Sequence, residues 1–99
     1  MATNLSAQRD KDGIYHLEGE LSIHGLDQLK DLLERSVRAG GGEVCISLEK
    51  VRFLDTACLQ LFLAFKKRLE PDRKFRITAV SAEVERILSL SGLKPFLLG

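Results

Sequence analysis

Phe53-Leu54-Asp55-Thr56-Ala57-Cys58-Leu59-Gln60-Leu61-Phe62-Leu63-Ala64-Phe65 decides the reading of this chain. An apolar approach ends at Asp55, and a strongly apolar helical run follows it at once. The Asp55 carboxylate suits an N-cap, because it can accept from the free backbone N–H groups of a first helical turn. At about 100° per residue, Cys58, Leu61, Phe62, Phe65 and Leu69 share one face, which predicts the side turned to the core. Thr56, Gln60, Leu63, Ala64 and Lys67 fall on the other. Leu59 and Leu63 are expected on or beside that outward face, where the fold has no evident need of them.

Working outward, strands alternate with helices. Leu5 to Arg9 is a weak strand candidate, and Asp10-Lys11-Asp12-Gly13 is a turn with an Asp-Gly hairpin signal. Ile14 to Leu21 alternates, with Tyr15, Leu17, Gly19 and Leu21 on one side and His16, Glu18 and Glu20 on the other. Ser22 to Ala39 carries Leu26, Leu29, Leu33 and Val37 at helical spacing, and Gly40-Gly41-Gly42 offers a left-handed stop. Glu43 to Leu48 predicts a short central strand covered on both sides, linked by Glu49 to Arg52 to the deciding stretch. The second helix should end near Glu70-Pro71-Asp72, since proline disfavours helical geometry in the residue before it. Lys74 to Val80 predicts a strand. Ser81 caps a third helix running to about Leu90, stopped at Ser91-Gly92-Leu93. Lys94 to Leu98 is expected as a last short edge strand, where Pro95 is tolerable. The order ββαβαβα(β) predicts one α/β domain over residues 1–99, a mixed sheet of four to five strands with three helices.

The 99 residues suffice for one core. A net charge of +1 gives no field to steer the chain onto nucleic acid or an acidic membrane. No stretch reads as a signal peptide or a membrane span. Cys45 and Cys58 lack metal-type spacing and read as free thiols of a cytoplasmic protein. No phosphate loop, metal set or catalytic triad is present, so no cofactor is expected. Cys58 is the best nucleophile candidate, since a helix N-terminus can lower a thiol pKa. Its phase on the core face favours a structural role. His24, near a helix start, has no evident metal partner.

Thr56 admits two readings. A helix-start hydroxyl can simply satisfy a backbone group. It can also accept a phosphoryl group, placing about −1.5 to −2 charges at a helix N-terminus that tolerates them. Spacing alone favours the first, because a capped helix start explains the same residues.

Three stretches resemble the STAS domain, the fold of anti-sigma factor antagonists. Leu17-Glu18-Gly19-Glu20-Leu21 is similar to the family's second strand with its Gly-Glu-Leu signature. Phe53 to Leu59 resembles the central Asp-Ser/Thr-Ser/Ala-Gly-Leu motif. Val80-Ser81 through Ser91-Gly92-Leu93 resembles the third helix and its ending. The resemblance implies a non-enzymatic partner switch. Thr56 would be the phosphorylation site, within a partner face of Ser22, Asp55, Thr56, Leu59, Gln60 and Leu63. The implied partners are an anti-sigma factor that is also a serine/threonine kinase, and a phosphatase. ATP would be the kinase's substrate. Two other STAS roles are implied as alternatives: accessory subunit beside the ATPase of a phospholipid-transporting ABC system, or regulator in a chemotaxis or two-component pathway. Three departures stand out. Ser22 replaces a frequent Asp, Cys58 replaces the motif Gly, and the usual C-terminal helix is expected to be missing, leaving surface for another protein. Exposed leucines leave a homodimer open.

Overall fold

The computed structural model describes residues 5–39, 42–70 and 72–98, with the backbone alone at Leu5 and Leu98. Four strands run β1 (Leu5–Arg9), β2 (Ile14–Leu21), β3 (Glu43–Leu54) and β4 (Lys74–Val80). They lie in the order β1-β2-β3-β4. β1 and β2 form the expected antiparallel hairpin, while β2, β3 and β4 are parallel. The hairpin turn is tied by Asp10, whose carboxylate accepts from the N–H groups of Asp12 and Ile14.

The helices are α1 (Leu26–Arg38), α2 (Thr56–Leu69), α3 (Ala82–Ser91) and α4 (Lys94–Leu98), with a 3-10 turn at Ile23–Gly25 before α1. Crossovers between adjacent parallel strands are almost always right-handed, which places α1 and α2 side by side on one face. Arg68 of α2 donates to Glu34 of α1 at 2.7 Å across that contact. Phe62 and Phe65 of α2 meet Phe75 of β4 with ring centroids 6.0 and 5.9 Å apart. Leu17, Leu29, Leu33, Ile46, Phe62 and Val84 are each 0–1% exposed and mark the centre of the core. The other face of the sheet is wet. His16, Glu18, Glu20 and Glu43 stand exposed on it and Cys45 is half-buried, so β3 is covered on both sides only around Ser47, 3% exposed, and not along the whole run as its β-branched residues suggested.

Three other expectations change. β3 continues through Glu49–Arg52 to Leu54, because β2 keeps pairing with it at Lys50, Val51, Phe53 and Leu54. The first helix begins at Leu26, since Ser22 caps a 3-10 turn instead. Lys94–Leu98 is helical rather than an edge strand, with Pro95 in the first turn, where its missing N–H costs nothing. Leu97 is only 4% exposed in it, and α4 packs against β4, so this end of the sheet is partly covered. The glycine stop at Gly40-Gly41 lies outside the described residues. α2 ends as expected, with Glu70 already extended at ψ 146° before Pro71.

Candidate functional site

β2 and β3 run parallel, so both deliver their C-terminal ends to the same edge of the sheet. Clefts and sites in open α/β sheets gather at that edge. Two local devices fix the backbone there. Gly19 takes φ 108° at a register shift between β2 and β3, a conformation open to glycine, which explains the Gly in the Gly-Glu-Leu signature. The Asp55 N–H then donates to the Leu21 carbonyl at 2.8 Å, tying the start of α2 to the end of β2.

The Asp55 side chain accepts from the Ala57 N–H at 2.9 Å, so the expected cap is present. Thr56, the first residue of α2, is exposed, and so is Gln60 one turn on. Ser22 is half-buried. Its hydroxyl accepts from the His24 N–H at 3.3 Å, and its carbonyl accepts the Cys58 thiol at 3.6 Å. The hydroxyl that replaces a frequent family carboxylate is therefore engaged in its own turn.

Two placements need correction. Leu59 is 2% exposed and belongs to the core, not to the outward face. Leu63 is half-buried and packs partly against the core. The buried arc of α2 is wider than the predicted stripe and takes in Leu59 beside Cys58 and Phe62. The apolar surface near Thr56 comes instead from Ile23, 59% exposed, and Phe53, 44% exposed. Ile23 follows Ser22 in the 3-10 turn. Phe53 pairs across the sheet with Glu20 and so points to the wet face. Both were legible as an outward phase in the strand and an isoleucine in a turn.

Cys58 cannot serve as a ready nucleophile. Burial, helped by the neighbouring Asp55 charge, pushes its thiol up to about 11. Among the described residues no group of three or more His, Cys, Asp or Glu side chains could hold a metal ion. No described helix is long and apolar enough to cross a membrane.

These features define a small α/β domain that presents an exposed hydroxyl and an apolar rim at a rigid helix start. The family model described as "Mlab, STAS domain" matches residues 5–99, and the chain belongs to the STAS domain family. Among curated relatives, the anti-sigma-B factor antagonists of Staphylococcus aureus strains NCTC 8325 and COL are each 29% identical over 87 residues. Those matches cover 85% of this chain and 81% of theirs. The crystal structure of an anti-sigma factor antagonist from Mycobacterium paratuberculosis shares the fold. It superposes with a TM-score of 0.75 at 22% identity, over 94% of this chain and 80% of that one.

Proposed function

We propose that this chain is an anti-sigma factor antagonist working by partner exchange in the cytoplasm. Unmodified, it docks an anti-sigma factor that is a serine/threonine kinase, through Ser22, Asp55, Thr56, Gln60 and the exposed side of Leu63. Ile23 and Phe53 add apolar contact. The kinase transfers the γ-phosphoryl group of ATP to the Thr56 hydroxyl oxygen, which loses its proton as ADP leaves. The phosphate brings about −1.5 to −2 charges into the middle of the contact and ends it. A phosphatase returns the hydroxyl. The chain itself performs no chemistry beyond presenting that oxygen.

The observation that carries this reading is the exposure of Thr56 at the capped start of α2, at the same end of the sheet as the exposed Ile23 and Phe53. The relatives named antagonists support the same role. The test is intact-mass spectrometry of the protein from its own cells, with and without phosphatase, joined to a pull-down. A phosphate on Thr56 and capture of a kinase support the exchange. A protein that stays unmodified under stress and growth, and that brings down a transporter ATPase, supports the second reading. That reading is the accessory subunit of a phospholipid-transporting ABC system, and it draws on the description of the matched family model.

A further inference from the structure

Among the described residues β4 hydrogen-bonds as a strand only to β3, so no strand occupies its other edge, which α4 covers in part. A cleft of about 310 Å³ lies there. Four consecutive β4 residues, 74–77, line it together with Lys66 and Glu70 of α2 and Leu97 of α4. Successive strand residues point to opposite faces. A cavity touched by all four must therefore run along the strand's edge, where backbone groups are offered.

The two sides of this edge differ. Phe75 is buried and Ile77 half-buried beneath α2, while Lys74 and Arg76 are exposed on the wet face. Three cations border the cleft. Lys66 donates to Glu70 at 3.0 Å, and Arg76 reaches Glu43 only at 3.7 Å. Lys74 has no ion-pair partner among the described residues. Edge lysines ordinarily keep unwanted strands away. Here they would repel a second copy in particular. Antiparallel β4–β4 pairing about a two-fold axis at Phe75, the register that centres on this cleft, sets Lys74 of each copy against Arg76 of the other.

We infer that the β4 edge accepts an extended acidic peptide segment of a partner, one alternating carboxylate and apolar side chains, as a fifth strand. Backbone groups of β4 supply the hydrogen bonds, Lys74 and Arg76 meet the carboxylates, and the Phe75, Ile77 and Leu97 side takes the apolar residues. The site stands about 15 Å along α2 from Thr56, counting ten residues at 1.5 Å each, so it is a second surface independent of the proposed switch.

The test uses the full chain and a fluorescein-labelled heptapeptide of alternating Asp and Val. Its controls are the same peptide with a central Pro and a Lys/Val counterpart. The Asp/Val peptide should raise anisotropy on saturable binding, weaken with added salt, and protect β4 amides from hydrogen exchange. The Pro and Lys/Val peptides should not. The double variant Lys74→Glu, Arg76→Glu should lose at least about tenfold in affinity for Asp/Val and gain affinity for Lys/Val. The wild-type salt dependence and exchange map stand even if that variant folds poorly. Equal binding of the Pro peptide overturns the inference, as does protection that maps away from β4. So does β4 protection that rises with protein concentration in the absence of peptide, which would assign the edge to self-association.

Discussion

Thr56 and Cys58 are two residues apart and have opposite fates. Thr56 faces water, and its phosphomimetic tests the proposed function cleanly. Thr56→Glu should weaken partner binding at least about tenfold while Tm stays within about 3 °C, since exposed substitutions seldom exceed 0.5 kcal/mol. Calorimetry and a binding titration read both. A large fall in Tm would make Thr56 structural. Cys58 lies in the core with its thiol raised from its ordinary 9.0 to about 11. The folded state therefore holds its proton more tightly than the unfolded chain does. That stabilisation is complete below about 9 and is lost as pH rises from about 9 to about 11. Urea midpoints across this window should fall more steeply for the native protein than for Cys58→Ser. Native Cys58 should also alkylate slowly at pH 8. The sequence identified both residues by phase. It could not show how far burial raises the Cys58 thiol, because that depends on the tertiary packing that closes over it.

At the scale of the element, α2 was legible in its bounds and its cap, and misread on one arc. Periodicity assigns faces as if a helix lay on a plane. The buried arc of α2 is wider than the predicted stripe, and Leu59 falls inside it. Leu59→Ala should therefore cost about 2–5 kcal/mol, the usual range for a buried leucine. Leu63→Asp should cost less but not nothing, about 1–2 kcal/mol, since Leu63 packs partly against the core. Gln60→Arg is the better probe of the proposed docking face and should leave the urea midpoint unchanged. The C-terminal stretch was misread for a different reason. Lys94-Pro95-Phe96-Leu97-Leu98 is too short to show a period, and Pro95 suits an edge strand and a first helical turn alike. Packing of Leu97 settles it. β3 was read too short because Glu49, Lys50 and Arg52 look like a loop. They are the wet face of a strand whose other side buries Val51 and Leu54.

For the whole molecule, the element order and sheet class followed from the alternation of strands and helices. The one-sided layering did not. It depends on which strand residues lie under helices and which remain in water. β1 is the extreme case, with Ser6, Ala7, Gln8 and Arg9 all exposed. An edge strand that buries so little is held chiefly by its ladder with β2 and by Arg9 over the Tyr15 ring at 5.6 Å. Native-state hydrogen exchange should show β1 amides opening locally, with β3 amides exchanging only through global unfolding. Equal protection of both strands would mean that β1 is covered by something more than its hairpin partner.

The bond from the Asp55 N–H to the Leu21 carbonyl ties the residue just before Thr56, the proposed phosphorylation site, to the end of β2. Under that proposal a phosphate on Thr56 would leave this tie in place. Its message would be written in ink on a rigid plate rather than in the plate's bending. Crystals of the two forms should be isomorphous, and the difference map should show density only beyond the Thr56 oxygen. Any reader of the message must then sit directly upon it, because nothing at a distance would know that it had been written.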